Sequence, residues 1–108
     1  MDRFIVVLIT ASSSAESARL SKALVKERLA ACVNIVPGLR SVYRWKGRIE
    51  SSAERLLIAK TRRSKLPQLI RRVRQLHSYS VPEIIALPML AGHADYLRWI
   101  AASLVPEK

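Results

Sequence analysis

The spacing of hydrophobic residues changes period along this chain, and the order of the changes leaves few folds open. Residues 3–9, RFIVVLI, are apolar at nearly every position and rich in β-branched side chains, the pattern of a strand buried on both faces. Residues 64–77, SKLPQLIRRVRQLH, instead place Leu66, Leu69, Ile70, Val73, Leu76 and His77 at steps of three and four, which predicts an amphipathic helix. Ser64 is its expected N-cap, Pro67 falls in the first turn where a missing amide costs little, and Arg71, Arg72 and Arg74 take the outer face. Ser13 and Glu16 have the spacing of a capping box, so an earlier helix should start near Ser13 and run to about Ala31, with Leu20, Ala23, Leu24, Ala30 and Ala31 on its apolar side.

Two extended runs lie between the helices. CVNIVPGLRSVYRW should bend or bulge at Pro37-Gly38, and RIESSAERLLIAKT follows it after Lys46-Gly47, which predicts a long β-hairpin with glycine supplying the positive φ of a tight turn. PEIIALPML reads as a last strand bracketed by Pro82 and Pro88, and GHADYLRWIAASL as a closing helix. Strand, helix, strand, strand, helix, strand and a final helix make one α+β domain over 1–108. The expected fold is ferredoxin-like, a split βαβ arrangement (βαββαβ plus a C-terminal helix) with both main helices on one face of an antiparallel sheet. Such a sheet leaves its other face bare. Val6, Val42, Leu57 and Ala86 are expected there, and an apolar face of that size predicts association with further copies of the chain.

Composition removes several function classes. Nineteen Lys and Arg against eight Asp and Glu give a net charge of +11, which raises nucleic acid, acidic lipid or anionic ligands as partners. These cations are dispersed over several elements in the sequence, the pattern of a solvated basic surface. RNA-binding sheets of related architecture stack bases on aromatic residues of their central strands, but those strands are aliphatic here apart from Phe4, so no nucleic-acid partner is expected. No apolar run approaches the ~20 residues that cross a bilayer, and the apolar start leads into a helix rather than a cleavage site, so neither a membrane partner nor a secretion signal is expected. With Cys32 as the single cysteine, no intramolecular disulfide can form and a reducing cytoplasm is the expected home. There is no Gly-rich phosphate loop, no Ser-His-Asp set and no paired carboxylates, hence no expected enzyme; His93 and Asp95, just after Gly92, read as the start of the closing helix.

Three stretches, LAACVNIVPGLRSVYRWKGRIE, LLIAKTRRSKLPQLIRRVRQLH and YSVPEIIALPMLAGHADYLRWI, resemble the CutA family of divalent-cation tolerance proteins across nearly the whole chain. The cysteine after a double alanine, the W-x-G turn followed by IE, the KT before the second helix, the Y-x-x-PE and the DYL-x-W occur in order. The resemblance implies a homotrimer of ferredoxin-like subunits with hairpins such as residues 40–61 crossing between neighbours. It also implies likeness to the PII-type signalling trimers, which hold small ligands in clefts between subunits. The implied function is non-enzymatic: binding of a divalent metal ion, copper first, in metal tolerance. The alternative is a PII-like signalling trimer that binds a small ligand in the inter-subunit cleft. The chain departs from the family at Ile9, where some relatives have a thiol, at Ser78, where proline is common, and in ESSAER, where relatives have a run of acids.

Seven residues are the site candidates. His77 ends an apolar stripe and reads as a helix-end cap or, with the resemblance, as a copper ligand. Glu83, fixed in direction by Pro82, reads as an exposed ion-pairing carboxylate or as a second metal ligand. Cys32 reads as a small hydrophobe or as a thiolate ligand suited to Cu(I). Lys60, Tyr79, Trp45 and Trp99 read as structural residues at subunit contacts or, by the PII comparison, as the lining of a cleft for an anionic or zwitterionic small ligand.

Overall fold

A computed structural model describes residues 2–106; Met1, Glu107 and Lys108 of the expected 1–108 domain lie outside it. The elements run β1 (Phe4–Ala11), α1 (Ser14–Lys26), β2 (Cys32–Trp45), β3 (Arg48–Arg62), a 3-10 turn (Arg63–Lys65), α2 (Leu66–Leu76), β4 (Ile84–Pro88) and α3 (Ala94–Ser103). The four strands form one antiparallel sheet in the order β2-β3-β1-β4, so each β-α-β unit has a strand of the other unit inserted between its own two.

Alternation along β1 decides which side is covered. Ile5, Val7 and Ile9 are buried beneath α1 and α2, where they meet Leu20, Leu24, Leu69 and Val73. Val6 and Leu8 point the other way, toward a face that also carries Leu56 and Ile58 of β3 and Ile85 and Leu87 of β4. Ile85 and Leu87 are about half exposed, at 52% and 48%. The expectation of a bare apolar face therefore holds, with three of its four residues reassigned: Val42, paired with Ser51, is on the side of the hairpin opposite Tyr43 and Trp45. Leu57 is fully buried in the helix-side core, and Ala86, paired with Val7, belongs to that same side. A one-residue difference in position reverses the face, because the side-chain period of a strand is two.

The hairpin has the expected form. Lys46 and Gly47 both have positive φ, 50° and 78°, as a two-residue type I′ turn requires, and the β2–β3 register shifts between Val36 and Leu39 around Gly38 at φ 79°. It extends the molecule to 48 Å and raises the radius of gyration to 14.5 Å, above the ~13 Å of a compact chain of this length.

Helix boundaries differ from expectation for local reasons. Ser13 does cap α1, its Oγ accepting from the Glu16 amide, but the helix stops at Lys26 rather than Ala31. Arg28 adopts φ 59°, and the amides of Arg28 and Leu29 bond back to Val25 and Leu24, a Schellman motif built on arginine instead of glycine. Leu29, Ala30 and Ala31 are consequently buried in the connection to β2. Ser64 does not cap α2. It lies in the 3-10 turn, where its amide and hydroxyl both donate to Asp2, and α2 begins after Lys65 without a side-chain cap.

Candidate functional site

The open sheet face has two unlike ends, and the expected site residues divide between them. At the hairpin end a groove of about 540 Å³ is lined by Thr10, Tyr43, Trp45, Glu54, Tyr79 and Glu83, among others. Alternation explains the gathering. Tyr43, Trp45 and Glu54 project on the same side of the hairpin as Leu56 and Ile58, and Glu83, one residue before β4, is in phase with Ile85 and Leu87. Tyr79 reaches in from the loop after α2 and donates its hydroxyl to a Glu54 carboxylate oxygen at 2.7 Å. Burial, followed by that bond to Glu54, pushes the Tyr79 phenol well above its ordinary range, so Tyr79 is a fixed donor.

His77 stands behind this groove rather than in it. Its side chain has no solvent exposure, and both ring nitrogens are engaged. Nε2 lies 2.7 Å from the Thr10 carbonyl and Nδ1 accepts the Tyr79 amide at 3.1 Å, which assigns the proton to Nε2. Its ring also lies against that of Tyr79, with centroids 4.7 Å apart. His77 thereby ties the end of β1 to the loop that positions Tyr79, and it has no lone pair free for a metal.

Beside His77 is a residue that sequence reasoning placed only at a helix start. Glu16 is buried; one carboxylate oxygen accepts from the amide and hydroxyl of Ser12, the other from the amide of Ser78. Burial alone would raise its pKa strongly, but the bonds from Ser12 and Ser78 outweigh it and hold the carboxyl at about 2. The capping-box spacing foretold that Glu16 would turn back toward the helix start, and it does so one residue earlier than the box prescribes. Its reach across to Ser78 has no signal in the local sequence.

At the opposite end of the face, Leu97, Ile100 and Leu104 of α3 pack against Phe4, Met89 and Ala31. The Cys32 thiol meets the Tyr96 hydroxyl there at 3.5 Å, and Tyr96 stacks near Trp99 with centroids 5.5 Å apart. The bond with Cys32, and then burial, raise the Tyr96 pKa. Lys60 pairs with both Cys32 and Val6, so it shares their row of the sheet. Thr10 is four residues farther along β1, about 13 Å away at the strand rise.

Of the seven expected residues, then, Trp45, Tyr79 and Glu83 are brought together at the groove. Cys32, Lys60 and Trp99 belong to the far end, and His77 is behind the groove. The expected metal set His77, Glu83 and Cys32 does not come together in the chain. Among the described residues no three His, Cys, Asp or Glu side chains are grouped so as to hold a metal ion. Glu54, Tyr43 and Thr10 were missed as site residues; the parity of β3 relative to Leu56 was the signal that could have found Glu54.

The same architecture recurs in known proteins. The divalent-cation tolerance protein CutA of Thermus thermophilus is 54% identical over 95 residues, covering 88% of this chain and 92% of that protein. The rice chloroplastic protein CutA 1 is 48% identical over 99 residues, which span 92% of this chain and 56% of the rice protein. The crystal structure of CutA from Xylella fastidiosa superposes with a TM-score of 0.93 at 37% identity, covering 95% of this chain and 99% of that one. The profile of the CutA1 divalent ion tolerance protein family matches residues 5–103, and with that match and these identities the chain belongs to that family.

Proposed function

We propose that the chain serves divalent-cation tolerance without catalysing a reaction, as a homotrimer of ferredoxin-like protomers joined through their open sheet faces. One observation carries this reading. The four residues expected to line a ligand cleft lie at two ends of the molecule, Trp45 and Tyr79 at the groove, and Lys60 about 13 Å farther along the sheet, beside the Cys32–Tyr96 contact that Trp99 adjoins. A single small ligand can touch all four only where the groove of one protomer meets the far end of another. The half-exposed Ile85 and Leu87 between these ends supply the apolar surface for that meeting. The number three comes from the family resemblance.

In this assembly the groove holds a small ligand, with Lys60 from the neighbour facing its anionic part and the aromatic rings enclosing the rest. A second reading, a divalent cation on Glu54 and Glu83, is favoured by the two carboxylates in one groove and by the printed name of the relatives. Copper, the metal that the family resemblance implies first, finds no free nitrogen on His77, whose ring is engaged by backbone on both sides. Isothermal titration with Cu(II) and Mn(II), on the wild type and on Glu83→Gln, tests the cation reading. Binding that the substitution weakens tenfold or more supports it; equal affinity in both proteins removes Glu83 from any metal site.

A further inference from the structure

The charge that the sequence scatters is gathered by the fold. Residues 14–31 and 63–77, which form the layer on the covered side of the sheet, carry nine Lys and Arg and two acids, a net +7 of the chain's +11. Neither acid is a free charge: one is buried and the other, though exposed, is paired. Glu16 is buried on Ser12 and Ser78, and both oxygens of Glu27 accept from Nε of Arg72 at 3.0 and 3.1 Å. Arg19, Lys22 and Lys26 follow one another at steps of three and four and so form a single stripe along α1. Arg71 and Arg74, three apart, form a second on α2. The helices lie side by side, for Arg19 donates to the Leu76 carbonyl and Arg72 bridges to Glu27, so both stripes belong to one two-helix layer whose axes are about 8–10 Å apart. Lys22, Lys26, Arg63, Arg71 and Arg74 are all exposed and in no ion pair among the described residues.

We propose that this helix layer binds double-stranded nucleic acid through its phosphates, without reading sequence. The surface chemistry selects that partner. α1, the 3-10 turn and α2 contain no Phe, Tyr or Trp, so they offer no platform on which the bases of a single strand could stack. Val25 is the one large hydrophobic residue exposed on them, which leaves nothing to insert into a lipid surface. What remains is a double row of cations, with arginine forks that match phosphate oxygens, on a rigid two-helix support. The expectation of no nucleic-acid partner concerned base stacking on the sheet; the cations lie on its other side. The layer also faces away from the open face, so the proposal does not depend on the trimer.

Fluorescence anisotropy with a labelled 20-base-pair DNA duplex of arbitrary sequence tests it. Five phosphate contacts predict a slope of about −4.5 in log affinity against log salt, hence roughly 500-fold weaker binding at 200 mM than at 50 mM salt. A scrambled duplex should bind equally. K22E/K26E/R71E/R74E should lose at least about 100-fold at 50 mM salt, while R44E/R48E at the hairpin tip should stay within about twofold. The milder pairs K22Q/K26Q and R71Q/R74Q should each flatten the slope by about 2, which keeps the test decisive if the fourfold variant melts early. Absence of binding at 50 mM salt, binding retained by the helix variants, or loss in the hairpin variant would overturn the proposal. So would vesicles containing phosphatidylglycerol saturating the protein at lower phosphate concentration than the duplex does.

Discussion

Replacing Glu16 by Gln removes a charge while keeping the side chain's volume, and its effect on folding should vary with pH in a way that no packing change can imitate. In the native protein the Glu16 carboxyl titrates at about 2, against 4.5 for an unstrained glutamate. At about 1.36 kcal/mol per unit, the ionised, hydrogen-bonded carboxylate contributes about 3 kcal/mol at neutral pH. Its side chain is only 3% exposed, so solvent screening discounts this little. Because the folded value is depressed, the contribution is complete above pH ~4.5 and disappears as pH falls toward 2. Glutamine cannot accept at both positions, and its amide would face either the Ser78 amide or the Ser12 donors. Glu16→Gln should therefore lower stability by about 3 kcal/mol at pH 7 and lower the melting temperature by roughly 12–18 °C. The gap from wild type should close steadily between pH 4.5 and 2. Urea unfolding of both proteins at several pH values and one protomer concentration measures the gap, and carboxylates common to both cancel. A gap independent of pH, or one below about 1 kcal/mol at pH 7, would refute the view that Ser12 and Ser78 hold this carboxylate ionised.

Three further substitutions probe other parts of the structure. Thr61→Val should cost about 1–3 kcal/mol in chemical unfolding, because the buried Thr61 hydroxyl donates to the Leu29 carbonyl at 2.7 Å and valine leaves that acceptor unpaired. Tyr79→Phe should cost about 1–3 kcal/mol by the same assay at pH 7, since it strands a buried Glu54 oxygen. As the Tyr79 pKa is raised in the folded state, the stability it confers is whole below pH 10 and lost above it; the variant should accordingly unfold less steeply with alkali. Lys46→Asn should raise the melting temperature by a few degrees, because asparagine tolerates the φ of 50° at the hairpin turn better than lysine does.

Much of the architecture was legible because it depends on local periodicity. The nearly continuous apolar character of residues 3–9, the three-and-four spacing of residues 66–76 and the Lys46-Gly47 turn each produced the expected element. Boundaries were less legible, since they hinged on distant partners. Ser64 is drawn away from capping by Asp2, and α1 ends where Arg28 accepts a conformation that residue type alone disfavours. The site was half legible. Tyr79, Trp45 and Glu83 were found, but Glu54 required following the parity of β3 from Leu56, and His77 required knowledge that Thr10, 67 positions away, would occupy its ring. The basic layer was illegible for a related reason: α1 and α2 are separated by the whole hairpin and become neighbours only through the core they share.

The most direct test of the account is sedimentation equilibrium of the wild type beside Ile85→Glu, a change on the edge strand β4 of the open face at a residue 52% exposed in the single chain. The account predicts a wild-type mass three times that of the chain and a folded variant of single-chain mass, because a charge placed in an apolar interface is expelled by dissociation. A wild type that sediments as one chain, or a variant that remains trimeric, would contradict it.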